Sequence, residues 1–227
     1  PCLYCENGGS ARCVNSQPLG SPNLDGAQAE YARVPSADGT VVKAPTGIHD
    51  QALILMADIF PTGYFGVKSG IEMMPNLDVH NSTIVVIGCG PVRLCAVVAA
   101  AALKPKHLLA VDSVPSRLEQ AAKLGAEPLN FMNDKAGMQD RIKSATDGRG
   151  ADIVVEVVGL SLALRTAFDL VRSFGAISSI GVHNAEIPWS GNDAYNFLFD
   201  NIIPLSDAVR GYDLFNQSKV QKVVFKI

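Results

Sequence analysis

The chain has 227 residues, of which 48% are hydrophobic and 18% charged, with 19 Lys and Arg against 22 Asp and Glu. This composition is typical of a globular protein of one or two domains and excludes an intrinsically disordered chain. Because the net charge is only −3 and no basic block occurs, the composition also argues against a nucleic-acid partner or an anionic membrane surface.

The sequence predicts a location in the cytoplasm. The most apolar window, residues 84–103, is interrupted by two glycines, a proline and an arginine, so no membrane-spanning helix is expected. The chain opens at Pro1 without the charged and apolar regions of a secretory signal, and it starts as a fragment of a longer protein would. Five cysteines, three of them within the first thirteen residues, do not indicate a disulfide scaffold and favour a reducing compartment.

The first part of the chain differs in texture from the rest. Residues 1–47 are rich in Gly, Pro, Asn and Ser, and residues 27–34 alternate apolar and polar side chains, which predicts short strands and loops. From Gln51 a short apolar helix is predicted as far as Ile59. A second helix then has Pro61 at its first helical position and closes at Pro75.

Short apolar runs then alternate with helical segments, the arrangement typical of βαβ units around a parallel sheet. Five strands are predicted, at residues 83–87, 107–111, 128–131, 153–157 and 176–180. Residues 183–200 show no clear pattern, and a last helix capped by Ser206 and a strand at residues 220–225 follow. We therefore expect an α/β fold in which a parallel sheet carries helices on both faces.

The clearest motif is a glycine-rich turn between the first predicted strand and the helix after it. Gly88 permits the tight turn, Gly90 lets the backbone approach a pyrophosphate, and the helix N-terminus behind them favours an anion. Arg93 stands where such motifs have a third glycine. Either the helix packing shifts, or the arginine turns toward solvent or phosphate; if it crowds the helix, Arg93→Gly should raise both stability and NADH affinity.

Asp112 lies 24 residues after Gly88, at the end of the second predicted strand. Dinucleotide-binding folds place a carboxylate there for the adenosine ribose diol, and its charge would repel a 2′-phosphate. The spacing therefore favours NAD over NADP. The alternative is a turn or helix-capping aspartate before Pro115, which the two upstream glycines make less favoured.

The first cysteines predict a metal knuckle without settling it. Cys2 and Cys5 form a Cys-x2-Cys hook, and Cys13 follows eight residues later in a glycine-rich loop. A structural zinc takes four ligands, so three thiols are equally consistent with free cysteines in a surface loop. The four histidines have no metal-ligand spacing and are interpreted as ordinary surface or core residues.

These features together resemble the zinc-containing medium-chain alcohol dehydrogenase family, and residues 57–64 most resemble its branch with glutathione-independent formaldehyde dehydrogenase. The resemblance implies a partial GroES-like, β-rich catalytic domain with a zinc lobe at residues 1–60. It implies a Rossmann-type NAD-binding domain at residues 61–200 and a return to the catalytic domain at residues 201–227. It also implies a homo-oligomer that transfers hydride between NAD and a small alcohol or aldehyde.

The resemblance also assigns residues to roles. Cys2, Cys5 and Cys13 would be three of four ligands of a structural zinc, while Asp58 would bind the catalytic zinc and Thr62 would lie near the nicotinamide. The residues implied in cofactor binding are Gly88, Gly90, Pro91, Val92, Asp112, Arg117, Gly181 and Val182. Of these, Val92 would pack behind the nicotinamide ring, and Arg117 would approach the adenosine ribose beside Asp112. Gly181 and Val182 would offer backbone contacts to the nicotinamide amide.

The family pattern further implies that a Cys and a His-Glu pair, the other catalytic zinc ligands, would precede residue 1. A helix and a strand that pair two subunits would be absent after Tyr195. We therefore expect a truncated or spliced product or a fragment, with little turnover on its own and a tendency to be monomeric or to aggregate. The alternative is a catalytically inactive NAD-binding remnant of such an enzyme.

Overall fold

The computed structural model describes residues 2–183, residue 185, residues 202–216 and residues 224–226. The chain divides into two compact units, Pro1–His49 and Asp50–Ile227. This division lies eleven residues before the end of the region predicted as a partial catalytic domain, because the segment after His49 packs against the helix that follows it. The assignment of the first unit to a GroES-like domain stays a prediction.

The first unit consists mainly of turns. It contains the one-turn helices α1 (Leu3–Glu6) and α2 (Ala37–Thr40) and a 3-10 turn at Ser10–Arg12. Residues 27–34 are exposed and lie in no strand, so the strand predicted there is wrong. An alternating pattern defines two faces, but a strand also needs a neighbour for its backbone hydrogen bonds. The described part of this unit offers only an isolated bridge between Ser21 and Leu24.

Four helical segments precede the sheet in the second unit, the last of them a 3-10 turn at Val79–Asn81. The segment predicted as one helix up to Ile59 is split into α3 (Asp50–Leu53) and a 3-10 turn at Ile54–Ala57. Helix α4 (Ile59–Glu72) follows with Asp58 as its N-cap. The helix thus begins two residues before Pro61, which its first turn tolerates because the backbone N–H groups there have no intrahelical partner.

The five predicted strands are confirmed and form one parallel sheet in the order β3-β2-β1-β4-β5. Their bounds are β1 Thr83–Ile87, β2 His107–Asp112, β3 Glu127–Asn130, β4 Ala151–Glu156 and β5 Val171–Ser179. Because β1 continues toward β2 on one side while the chain returns to β4 on the other, a crevice opens at the carboxyl ends of β1 and β4. Ligands of such sheets bind at this place.

Helices cover both faces of the sheet. They are α5 (Pro91–Ala102), α6 (Pro115–Lys123), α7 (Lys135–Ala145) and α8 (Ser161–Leu170). Side chains of β1 alternate between two cores: Ile84 and Val86 face the core of α4, α5 and α6, whereas Val85 and Ile87 face that of α7 and α8. This alternation confirms the predicted doubly covered parallel sheet.

Helix α4 lies very close to its neighbours along a row of glycines. A Cβ on Gly63 would lie 2.6 Å from both the Val92 carbonyl oxygen and the Ala96 nitrogen of α5. A Cβ on Gly70 would lie 2.7 Å from the Ile153 side chain of β4. Because Gly63 has no side chain, the N-terminal half of α4 can pack closely against the start of α5, which follows the glycine turn.

The last described elements form a small separate pair of strands. Strand β6 (Ile202–Pro204) runs parallel to β7 (Val224–Lys226), and α9 (Ala208–Asn216) follows a 3-10 turn at Leu205–Asp207. The predicted last helix is present but begins after Ser206. The first four residues of the predicted closing strand, and most of residues 183–200, lie outside the described residues. Within the part of the chain that the structure describes, no helix has both the length and the apolar character needed to cross a membrane.

Candidate functional site

The glycine turn has the geometry that a dinucleotide-binding turn requires. Gly88 adopts a φ of +92°, a left-handed conformation that favours glycine, and its N–H donates to the Val111 carbonyl at 2.6 Å. Gly90 is the N-cap of α5, whose first turn carries no acidic residue. The first backbone N–H groups of α5 therefore point toward the carboxyl edge of the sheet with the positive end of the helix dipole.

Asp112 joins the ends of β1 and β2 through its carboxylate. Oδ2 accepts from the Cys89 N–H at 2.6 Å, and Oδ1 accepts from the N–H groups of Ser113 at 2.7 Å and Val114 at 2.8 Å. The residue is only 7% exposed. Because a carboxylate offers about four acceptor positions, one position on Oδ2 is left for a hydroxyl donor. The carboxylate thus acts both as the turn-capping residue that the sequence offered as an alternative and as a possible ribose ligand.

Three further residues implied in cofactor binding lie at the starts of α5 and α6. Pro91 is exposed at the first position of α5, and Val92 is half-buried against the core. Arg117 is exposed on the first turn of α6, which begins directly beyond β2. The structure brings all three to the carboxyl edge of the sheet, and their contacts with a cofactor stay predictions.

Arg93 contacts the glycine turn that precedes it. Its side chain folds back along the glycine turn, so that a Cβ placed on Gly88 would lie 2.9 Å from the Arg93 Nε. The Gly90 carbonyl still accepts the Leu94 N–H at 2.9 Å, and β1 keeps its full register with β2. Of the two alternatives for Arg93, these contacts favour a side chain that turns along the glycine turn, and its effect on the helix packing stays a prediction.

The sequence interpretation overlooked a buried carboxylate at the end of β4. Glu156 is fully buried, and its Oε1 accepts from the N–H groups of Val158 at 2.6 Å and Gly159 at 2.8 Å. Its Oε2 accepts from the Ser179 hydroxyl at 2.7 Å and lies 3.2 Å from the His183 Nε2. An ionisable residue at the carboxyl end of an otherwise apolar strand was the signal that could have identified it.

Glu156 holds together the two loops where the nicotinamide end was predicted. Gly181 packs so closely on Gly159 that a Cβ on either glycine would overlap the other loop's backbone. Val182 is 79% exposed, so its backbone and side chain are accessible. The arrangement places Gly181 and Val182 beside the crevice between β1 and β4, while their predicted contact with a nicotinamide amide stays untested.

Asp58 and Thr62 form a hydrogen-bonded pair at the start of α4. The Thr62 hydroxyl donates to the Asp58 Oδ1 at 2.8 Å, and the Thr62 N–H donates to the Asp58 carbonyl at 2.9 Å. Asp58 is exposed. Among the described residues Asp58 belongs to no group of three side chains that could ligate a metal, so its role as a zinc ligand stays a prediction.

The three N-terminal cysteines do converge. Their sulfur atoms lie within 4.8 Å of one another, and Cys2 Sγ is 3.8 Å from Cys5 Sγ. Two sulfurs bound to one tetrahedral zinc at about 2.3 Å lie about 3.8 Å apart, so the spacing fits the metal. Hydrogen bonds from backbone N–H groups, above all that of Val14, lower the pKa of the Cys2 thiol to about 6 and favour the thiolate that zinc binds. Contact with Cys13 raises the pKa of the Cys5 thiol.

A further cavity, of about 540 Å³, lies at the opposite edge of the sheet. It is lined by Gly148, Arg149, Asp152, Arg172 and Ser173, at the amino ends of β4 and β5. Ligands of open parallel sheets bind at the carboxyl ends of the strands, where the glycine turn, Asp112 and Glu156 lie. We therefore assign the candidate site to the carboxyl edge.

The comparison with protein families identifies the class to which this fold and turn belong. The family described as zinc-binding dehydrogenase matches residues 91–226, more than half of the chain. The chain belongs to this family. It is 54% identical to zinc-type alcohol dehydrogenase B of Aspergillus flavus over 99% of the chain and 60% of that protein. It is also 54% identical to the medium chain reductase/dehydrogenase ucsI of an Acremonium species, over 86% of the chain and 66% of that protein.

Solved structures agree with the family assignment. Alcohol dehydrogenase TADH from Thermus sp. ATN1 is 30% identical and superimposes with a TM-score of 0.73 over 100% of this chain and 74% of that chain. D-arabinose dehydrogenase from Sulfolobus solfataricus, at 22% identity and the same TM-score over 86% of this chain and 58% of that one, supports the fold alone. The chain thus spans about 60 to 66% of the length of the first curated relatives and has the fold of zinc-type alcohol dehydrogenases.

Proposed function

We propose that the chain binds NAD in the crevice at the carboxyl ends of β1 and β4, as part of an enzyme that transfers hydride between NAD and an alcohol or aldehyde. The observation that carries the proposal is the buried Asp112 carboxylate, which keeps one acceptor position free beside the glycine turn. The names of the relatives support the alcohol or aldehyde as substrate class. Asp58 supports the assignment to the formaldehyde dehydrogenase-like branch, because the resemblance to that branch implies an aspartate as ligand of the catalytic zinc.

Each part of the crevice suits one part of the dinucleotide. The N–H groups at the start of α5 would hold the pyrophosphate, because Gly90 lets it approach the backbone closely. Asp112 would accept a ribose hydroxyl, and its negative charge would disfavour a 2′-phosphate. Arg117 would approach the same ribose, while Thr62, Gly181 and Val182 would face the nicotinamide end.

Two zinc roles belong to the proposal. Cys2, Cys5 and Cys13 would hold a structural ion, and the thiol spacing fits it. Asp58 would contribute one carboxylate to a catalytic ion, and the Thr62 hydroxyl would orient that carboxylate through the bond at 2.8 Å. When bound, a catalytic zinc supplies Lewis-acid polarisation of the substrate oxygen.

The proposal is tested by titrating the purified chain with NADH and with NADPH while following cofactor fluorescence. We expect saturable NADH binding that is at least about tenfold tighter than NADPH binding, because Asp112 repels the additional phosphate. Asp112→Asn should weaken NADH binding, since the amide replaces one carboxylate oxygen with a donor. It should also reduce the preference for NADH over NADPH, because the negative charge is lost.

Asp134→Asn provides a matched control for this experiment. Asp134 is the N-cap of α7 and accepts the Gly137 N–H at 2.7 Å, so its replacement also removes a capping carboxylate oxygen, away from the glycine turn. We expect unchanged NADH affinity and a smaller loss of stability, because Asp134 is exposed and accepts one backbone N–H where Asp112 accepts three. Absence of saturable NADH binding by the unaltered, folded chain would refute the proposal.

Binding without turnover is the second candidate, favoured by the isolated position of Asp58 among the described metal-ligating side chains. It predicts the same NADH titration but no alcohol-dependent production of NADH by the zinc-loaded chain. A measurable rate that is lost in Asp58→Asn would exclude it.

A further inference from the structure

Arg93 places a cation directly beside the two glycines of the turn. It is the third residue of α5, and its side chain folds back over the turn. A Cβ on Gly88 would lie 2.9 Å from the Arg93 Nε and 3.0 Å from its Cδ, and a Cβ on Gly90 would overlap its Nη1. The guanidinium thus lies next to the two glycines at which dinucleotide-binding turns let a pyrophosphate approach the backbone.

The guanidinium lacks the partners that a buried donor needs. Among the side chains that the structure describes, the Arg93 Nε is buried and has no hydrogen-bond partner. Buried donors are nearly always paired, and a guanidinium offers five N–H groups in a planar fork. An unpaired Nε in this position therefore points to a ligand that carries the acceptors.

Arg93 has no direct ion-pair partner among the described residues. The positive end of the α5 dipole lies beside it, and the first turn of α5 contains no acidic residue. The carboxylates nearest the turn are engaged: Asp112 accepts three backbone N–H groups, and Glu156 accepts two and contacts Ser179 and His183. A cation at a positive helix end is stabilised when an anion lies between them.

We propose that Arg93 binds the pyrophosphate of the dinucleotide through its guanidinium, so that a side-chain charge is added to the backbone contacts of the glycine turn. This inference rests on the proposed NAD binding. A guanidinium suits the role because its planar fork matches two phosphate oxygens and its charge shortens and strengthens each bond. The third glycine of the motif is thus replaced by a ligand, and cofactor affinity in this chain depends more strongly on salt than a backbone-only turn would require.

The test compares ligands with and without a pyrophosphate on the full chain. ADP-ribose, inorganic pyrophosphate and adenosine are titrated by calorimetry against the unaltered chain, Arg93→Met and Arg93→Lys. Methionine keeps an unbranched apolar side chain without the charge, and lysine keeps the charge without the fork. Arg165→Met is the matched control, because Arg165 is an exposed arginine of α8 that pairs with Asp169.

We expect Arg93→Met to weaken ADP-ribose binding at least about tenfold, as loss of a charged hydrogen bond does, and to change adenosine binding less than about twofold. Arg93→Lys should retain part of the affinity, and Arg165→Met all of it. Raising KCl from 0.05 to 0.5 M should weaken ADP-ribose binding more in the unaltered chain than in Arg93→Met. The unliganded Arg93→Met chain should melt at the same or a higher temperature, since an unpaired buried donor is removed.

Two outcomes are distinguishable as failures. If the unaltered chain and Arg93→Met or Arg93→Gly bind ADP-ribose equally well, Arg93 does not contact the pyrophosphate. If either variant binds it more tightly, Arg93 obstructs the site. Both results overturn only this inference. If the unaltered folded chain binds neither ADP-ribose nor NADH, the proposed NAD binding fails and the role of Arg93 fails with it.

Discussion

The cysteine-containing first unit and the parallel-sheet unit reach their order by different means. In the first unit, Leu24 is the one hydrophobic side chain among the described residues that is fully buried, and three sulfur atoms meet near one point. In the second unit, two hydrophobic cores cover the faces of a five-stranded sheet. A segment with so little buried apolar surface depends on cross-links or a metal, whereas a covered sheet is stabilised by burial itself.

Removal of the metal should produce the largest difference in stability between the two units. Cys5→Ser removes one thiol ligand and chelation removes the ion, so the first unit should lose its zinc in both cases. Because structural zinc contributes on the order of 10 kcal/mol to the folding of such lobes, we expect the first unit to lose its folded structure. Amide hydrogen exchange should then become fast across residues 2–24 and stay slow in β1, β2 and β4.

Ser69→Ala is the control for this experiment, since Ser69 bonds Ser178 in the sheet unit at 2.7 Å and carries no metal-binding atom of the lobe. Unchanged protection of residues 2–24 after chelation would contradict the dependence on metal.

A substitution on α4 should disturb the sheet unit alone. Gly63→Ala adds a methyl group 2.6 Å from two backbone atoms of α5, so one helix must move. Overpacking of this kind costs about 1–3 kcal/mol in the free energy of unfolding. Because Val92 lies in the first turn of α5, which directly follows the glycine turn, we expect NADH affinity to fall as well. Urea unfolding and NADH titration measure the two effects.

Gly39→Ala is the matched control, because nothing lies within 4 Å of its added methyl group and its φ is not in the left-handed region. Its NADH affinity should stay unchanged, and its unfolding free energy should not fall, because Gly→Ala at an unstrained helical position is neutral or stabilising by up to about 1 kcal/mol. A Gly63→Ala chain of unaltered stability would show that α4 and α5 are not held together as closely as described.

The smallest expected difference between the units is in the alkylation rates of their thiols. Backbone hydrogen bonds lower the pKa of Cys2 to about 6, whereas burial, followed by the charge of Asp112, raises the pKa of Cys89 to about 12. In the metal-free chain, alkylation of Cys2 should therefore be fast at pH 7.5 and slow as the pH falls below about 6. Cys89 should stay unmodified at both pH values, because it is protonated and only 1% exposed.

Pulsed alkylation followed by mass spectrometry checks this difference, with the urea-unfolded chain as the control in which both thiols react. Equal modification of Cys2 and Cys89 in the folded chain would contradict it.

The parallel sheet was predictable because its signals are local. Strands such as Thr83–Ile87 are short, continuously apolar runs, and the glycines and prolines around them mark where each element stops. The strand predicted at residues 27–34 failed for the opposite reason. Alternation is also local, but a strand requires a partner, and nothing in residues 27–34 states whether one is present.

The candidate site divides along the same line. Gly88, Gly90 and Asp112 could be recognised because their spacing along the chain sets the turn and the distance to the next strand. The Glu156 contacts could not, because they join β4 to Ser179 and His183, which are 23 and 27 residues away along the chain. The pairing of Asp58 with Thr62 depends on how α4 begins, which was predicted two residues too late.

The sequence by itself determined the βαβ order, the glycine turn and the residue types that suit a dinucleotide and a metal, since each depends on neighbours within about one turn or strand. The tertiary structure decided the rest. It brought three sulfur atoms to within 4.8 Å of one another, occupied three acceptor positions of Asp112 and placed the Arg93 side chain beside Gly88 and Gly90. Side-chain direction and burial arise from packing between distant segments, and spacing along the chain does not contain that information.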